Sequence, residues 1–303
     1  MAASISPKTN PAITWTRTET STLDLHGKNV AVVGGTGGLG RALSRILASR
    51  GARVSVIGQT FREAGTPGID FVKADLSSMT EAARVADELP AETLDLLVLT
   101  TGIFAAPTRQ ETVEGLERDM AVSYLNRLVI IRRLAHRLGT GRPADAAPAR
   151  IFIMGFPGTG QDIDLDDLNA EHSYNGTRVH LGTVAGNEAL VLDTARRYPN
   201  LRVYGLNPGL AKTNIRSNMY GRSKLRAKIL EGMIGLFAPT ADKYGERIAP
   251  LLIATDITAH TGISFGSKGQ AIYASPEMTD SRAEAITDAA TKLLRAKTPT
   301  VEI

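Results

Sequence analysis

The chain has 303 residues, 43% of them hydrophobic, and a net charge of only +4; that is enough apolar material for one large core and too little charge to argue for a polyanionic partner such as nucleic acid. It contains no cysteine, which excludes a disulfide framework, a thiol nucleophile and a cysteine metal centre, and its five histidines show no ligand spacing. No apolar run reaches the length of a membrane span and no hydrophobic secretory segment opens the chain, so the expectation is a cytoplasmic protein that works on a small molecule without a metal.

In chain order, residues 1–26 are rich in Ser, Thr and Pro and read as an N-terminal arm or tail. The apolar run Val30 to Val33 reads as a strand and leads into Gly34-Gly35-Thr36-Gly37-Gly38-Leu39-Gly40. A helical pattern follows with Leu43, Ile46 and Leu47 on one face. Glycines 34, 38 and 40 let the backbone turn tightly and let a pyrophosphate approach the amides at the helix N-terminus. A second strand, Arg53 to Ile57, comes at the spacing of a βαβ unit, and Asp70 to Asp75 reads as the end of a third. Strands alternating with helices, and no internal linker or repeat, predict one doubly wound Rossmann domain of class α/β over 27–295, with a mostly parallel seven-stranded sheet and a C-terminal tail at 296–303.

With those motifs in place, the chain resembles the short-chain dehydrogenase/reductase family over roughly residues 27 to 275. The family's glycine loop falls on Val33, Gly34, Gly38 and Gly40, with only its threonine replaced. Its acid-plus-apolar pair that holds the adenine falls on Asp75-Leu76, and its nicotinamide loop on Pro208, Gly209 and Thr213. Of the motif after the fourth strand only Gly102 is kept. The resemblance implies a nicotinamide dinucleotide held by these residues together with Thr36, Leu39, Arg41 and Gln59. At the end of the second strand the chain reads Gly58-Gln59-Thr60, with no acid for the ribose hydroxyls of NAD. Arg41 or Arg62 could reach a 2′-phosphate, so NADP(H) is expected over NAD(H).

The family's Asn-Ser-Tyr-Lys set is replaced. Counting back from Pro208 through a helix expected at Leu181 to Tyr198, with Asn187 as anchor, the tyrosine position falls on His180 and the lysine on Val184. The fifth strand, Arg150 to Met154, places Phe156 at the serine, and Ser123 stands at the asparagine. An alternative register takes Tyr174 and Arg178, also four apart, as proton donor and cation, but needs an insertion next to the active-site helix. His180 either exchanges a proton or merely fills the space of the lost phenol. A substrate lid is expected at about 214–250. By the resemblance, helices beginning near Val113 and Leu181 pair across a two-fold axis, so a homodimer or homotetramer is expected.

These observations carry three functional readings. The first is an NADP(H)-dependent oxidoreductase acting on a bulky apolar carbonyl, imine or activated alkene through an atypical site. The others are a non-redox enzyme of secondary metabolism on the same fold (a cyclase, isomerase or pericyclic catalyst) and an inactive dinucleotide-binding scaffold.

Overall fold

A computed structural model describes residues 6–209 and 240–303. Eight strands form one sheet in the order β3-β2-β1-β4-β5-β6-β7-β8. They are β1 (Asn29–Val33), β2 (Arg53–Gly58), β3 (Ile69–Lys73), β4 (Leu96–Leu99), β5 (Arg150–Met154), β6 (Arg202–Leu206), β7 (Ile263–Phe265) and β8 (Ala271–Ile272). The seven expected strands are parallel, and the eighth, two residues long, is added antiparallel to β7. Every residue of β4 and β5 is buried, because helices cover both faces of a parallel sheet and leave no solvent side.

On one face lie α1 (Gly38–Ser49) and α6 (Ala241–Ile253); on the other lie α2 (Met79–Glu88), α4 (Asn126–Leu134), α5 (Gly176–Arg197) and α7 (Asp280–Lys297). A single turn, α3 (Arg118–Met120), and a π-helical stretch, Ala121–Leu125, run directly into α4. The chain winds outward from β1 to β2 and β3 and returns to β4. The crevice at the carboxyl ends of β1 and β4 is therefore the switch point where such sheets bind ligands.

Four boundaries differ from expectation. Helix α5 begins at Gly176 rather than Leu181, because the Asn175 side chain accepts the Arg178 N–H at 3.0 Å and caps the helix. The helix expected near Val113 begins at Arg118, and Val113 is 98% exposed in the preceding turn. Residues 241–250, expected in a lid, lie in α6 and pack on α1, with Tyr244, Ile248 and Pro250 buried; most of the remaining lid range, and Thr213, lie outside the described residues. The end of the chain is docked rather than loose. Thr298 bonds back to the Leu294 carbonyl at 2.8 Å and Val301 joins the core.

The described part of the N-terminal arm packs against the sheet edge. Thr9 bridges Ile272 on the edge strand β8, the Trp15 indole donates to the Gly269 carbonyl at 2.7 Å, and the Thr16 amide donates to Asp256 at 2.7 Å. This covers an edge that would otherwise present unpaired backbone groups. Residues 182–191 of α5 are buried, and α7 packs along that helix, with Ala283, Ile286, Ala290 and Leu294 in the core. Helix α7 thus lies along α5, one of the two helices that the resemblance expects to pair across a two-fold axis.

Candidate active site

The cleft is built from its phosphate end. Gly34, at φ +88°, sits so close to β4 that an added Cβ would meet the Thr101 amide nitrogen at 2.6 Å. At Gly40 a Cβ would meet Thr100 Oγ1 at 2.3 Å and the Gly34 carbonyl at 2.5 Å. Only glycine fits at either position, and the result is a turn pressed flat against the carboxyl end of β4. The N-cap of α1 is Gly37, which makes no side-chain cap bond. Ser78, Asn175, Thr240 and Thr279 cap α2, α5, α6 and α7 in the usual way. The first amides of α1 are thus left for an anion, where the helix dipole favours negative charge. This cradle, which any larger residue would fill, fits a dinucleotide pyrophosphate.

At the adenine end, Gln59 and Asp75 come together, the Gln59 amide donating to Asp75 at 2.8 Å. Asp75 also accepts the amide and hydroxyl of Ser77, and these bonds outweigh its partial burial and hold its carboxyl below the usual range. The two arginines differ. Arg41 is ion-paired with Glu63, an acid that the reading of Gly58-Gln59-Thr60 did not take in, whereas Arg62 donates to the Thr36 carbonyl at 3.1 Å and so lies over the glycine loop. At the nicotinamide end, Gly209 is at φ +65° and its amide donates to Asn207 Oδ1 at 2.9 Å. Asn207 in turn donates to the Pro157 carbonyl at 2.8 Å, tying the loop after β6 to the loop that carries half-buried Phe156. The latter loop is clamped again by buried Glu188, which accepts the Gly158 amide at 3.1 Å and both donors of Ser275.

The four positions that the resemblance aligns with the family's catalytic set, Ser123, Phe156, His180 and Val184, are spread over the loop after β5, the π-helical stretch and α5. Val184 is buried and Phe156 offers no donor. Ser123 lies in the π-helical stretch, a local widening that often marks functional sites. Its freed carbonyls are answered by the Asn126 amide, which donates to Ala121 at 2.9 Å and reaches Leu76 at 3.2 Å. His180 is half-buried on the first turns of α5, its Nδ1 lies 2.8 Å from Oδ2 of Asp119, and its ring stacks on Phe104 with centroids 3.8 Å apart. Asp119 is fully buried, and its other oxygen accepts the Ser123 hydroxyl. The loop carrying Phe104 follows Gly102 at the end of β4, so the ring stands at the mouth of the switch-point crevice.

Tyr174 and Arg178 have other partners. Tyr174 lies ahead of the helix, its hydroxyl donates to the Ala106 carbonyl at 2.6 Å, and burial pushes it up to about 12. Arg178 is largely exposed and ion-paired with Asp164 at 2.7 Å.

Reading the sequence missed three charged residues of this region. Asp119 is one. Arg127 is fully buried below the cleft, where its guanidinium donates to the carbonyls of Thr101 and Met154 and, at 2.8 Å, to Asn187. All three acceptors are neutral, Nε has no partner among the described residues, and burial pulls the group down to about 9. Glu117, buried at the start of α3, is pushed up to about 7 by burial and then by the charge of Asp119, against the bond it accepts from the Met120 amide. No local pattern links the three residues, and Asp119 and Arg127 have partners on other elements, so the fold reveals the cluster. Two surface cavities, of about 470 and 850 Å³, lie elsewhere, one between α5 and α7 and one beside the Asp162–Asp166 loop.

A model of the short chain dehydrogenase family matches residues 28–140. The uncharacterized oxidoreductase YKL107W of Saccharomyces cerevisiae is 48% identical over 276 residues, which cover 90% of this chain and 89% of that protein. Retinol dehydrogenase 14 of Homo sapiens is 30% identical over 220 residues, 63% of this chain and 64% of its own length. Among solved structures, the RhlG/NADP active-site complex of Pseudomonas aeruginosa superposes with a TM-score of 0.61 at 21% identity, over 81% of this chain and 96% of that one. A likeness at that identity speaks to the fold.

Proposed function

The chain belongs to the short-chain dehydrogenase/reductase family and is an oxidoreductase; from that premise we propose that it prefers NADP(H) and acts on a bulky apolar carbonyl, imine or activated alkene at a site without the family's Asn-Ser-Tyr-Lys set. The observation that carries the reading is the phosphate cradle, where glycine is required at 34 and 40 and the N-terminus of α1 has no side-chain cap. Gly34, Thr36, Gly38, Leu39 and Gly40 would hold the pyrophosphate, Asp75 and Leu76 the adenine, and Pro208, Gly209 and Thr213 the nicotinamide amide. When bound, the nicotinamide supplies or accepts the hydride. The side chains then have the proton to move and the substrate to orient.

His180 is the proton-exchanging group in this reading, since the resemblance aligns it with the phenol and an imidazole nitrogen can both take up and release a proton. Phe156 and Val184 make the wall apolar and favour a substrate that is bulky and already electrophilic. Preference for the 2′-phosphate is supported by the lack of an acid at Gln59 and by Arg62 over the glycine loop; the pairing of Arg41 with Glu63 leaves Arg62 as the main contact. A homodimer or homotetramer is expected, as the resemblance implies.

The test is calorimetry with NADPH and NADH, followed by loss of reduced-nicotinamide absorbance with a panel of bulky aldehydes, ketones, imines and enones. NADPH is expected to bind more tightly by on the order of tenfold, about 1.4 kcal/mol, and Gln59→Glu is expected to reverse the order. Tighter NADH binding by the wild type contradicts the preference, and binding without turnover across the panel shifts the reading to a non-redox enzyme or a scaffold.

A further inference from the structure

Resting on the reading of His180 as the proton-exchanging group, we infer that Asp119 is the residue that orients it: the carboxylate holds Nδ1–H, so that the exchanged proton is carried by Nε2, and Ser123 acts through Asp119 rather than on the substrate. The geometry is specific. Asp119 is fully buried and both of its oxygens have partners, Oδ2 the imidazole at 2.8 Å and Oδ1 the Ser123 hydroxyl. Ser123 is fixed from behind, because its oxygen accepts the Ile103 amide at 3.0 Å. A chain of hydrogen bonds therefore runs from the Ile103 N–H through the serine O–H, which also lies 3.3 Å from the Ile103 carbonyl, to the carboxylate, and among the described residues Nδ1 is the other side-chain donor position on that carboxylate.

An ionised carboxylate only accepts, so it selects the tautomer with hydrogen on Nδ1 and leaves the Nε2 lone pair for an incoming proton. Phe104 stacks within 22° of parallel at 3.8 Å and restricts the remaining freedom of the ring, its rotation about χ2. When a substrate hydroxyl gives up its proton, the O–H bond breaks as an N–H bond forms at Nε2 and the ring gains one positive charge; the hydride on the hydroxyl-bearing carbon would go to a nicotinamide held by the residues named above. Asp119 meets that charge directly, as the carboxylate behind a catalytic histidine does in other enzymes. The other charged groups of this region are Glu117 on the same helical turn, Arg127 beneath it and Arg109; the bonds of Arg127 go to backbone carbonyls and Asn187, Glu117 accepts the Met120 amide, and Arg109 pairs with Glu111 and donates to the Asn169 carbonyl. Among the described residues, Asp119 is the hydrogen-bond partner of the ring.

The readout that a merely structural aspartate would not move is the tautomer itself. In wild-type protein labelled with ¹⁵N-histidine, with the signal assigned through His180→Gln, long-range ¹⁵N–¹H spectra of the neutral ring are expected to show hydrogen on Nδ1. Asp119→Asn, whose amide can also donate to Nδ1, is expected to shift the ring toward the Nε2–H form and to lower kcat about a hundredfold, with dinucleotide affinity unchanged; Asp119→Glu should restore part of both. A wild-type ring with hydrogen on Nε2, or an Asp119→Asn ring unchanged in tautomer, overturns the inference. The wild-type spectrum decides even if the variants do not fold. The expected tautomer combined with full turnover by His180→Ala leaves the orienting role of Asp119 standing and removes the proton-exchange role of His180.

Discussion

The two ends of the cleft are built by different rules. At the phosphate end the backbone is the functional surface: glycines 34 and 40 lie against Thr100 and Thr101 with no room for a methyl group, and the helix behind them is left uncapped. At the proposed catalytic end side chains would carry the chemistry, with His180, Asp119 and Ser123 in contact between α5 and the α3 and π-helical turns. The difference teaches where change is tolerated. A site made of main-chain amides has no side chain to exchange, because any Cβ destroys it. A site made of side chains can be refitted while the scaffold persists, and in the proposed register the positions of a phenol, an amine, a hydroxyl and an amide would hold an imidazole, an isopropyl group, a ring and a serine.

The sharpest way to break this contrast is at Gly40. Gly40→Val puts atoms into Thr100 and the Gly34 carbonyl and is expected to lower dinucleotide affinity at least a hundredfold by calorimetry, with folding checked by circular dichroism. Retained affinity would mean that the cradle is not the binding site. Next in size is Glu117. Its carboxyl is pushed up to about 7 in the folded protein against 4.5 for the free group, so the folded state holds a proton that the unfolded state releases between those values. Stability is thus fully present below about 4.5 and falls as pH rises toward 7 and above. Glu117→Gln keeps an acceptor for the Met120 amide and is expected to stabilise the protein at pH 8 by on the order of 1–3 kcal/mol, with little effect at pH 4; urea melts at the two pH values check it, and equal effects at both would show that burial does not govern this group. The smallest expected effect is at Tyr244. Its hydroxyl is buried without a partner among the described residues, so Tyr244→Phe should be neutral or stabilising by up to about 1 kcal/mol, and a loss of stability would reveal a bond that the geometry does not contain.

Legibility in the sequence follows the same division. The phosphate end could be read because glycine spacing and buried parallel strands are local signals: Val30 to Val33 and Arg150 to Met154 sit within the observed strands. The proposed place of His180 came from counting back from Pro208, just after β6, with Asn187 in α5 as anchor. Asp119 could not, because an acid at the start of a helix reads as ordinary dipole compensation and its partner is 61 residues away. Arg127 was hidden for a related reason: flanked by Asn126 and Leu128, it reads as a surface position, and only the approach of β4, β5 and α5 shows it enclosed. The start of α5 was misplaced because Asn175 was not taken as a cap, and the packing of α7 along α5 is a long-range fact without a local signature.

The central claim is that binding and proton exchange reside in separable halves of one cleft, and His180→Ala tests it most directly when dinucleotide Kd and kcat are measured on the same preparation. The account expects Kd within about twofold of the wild type and kcat lower by on the order of 10²–10⁴. A variant that turns over as fast as the wild type, or one that loses dinucleotide affinity in step with its activity, would contradict it.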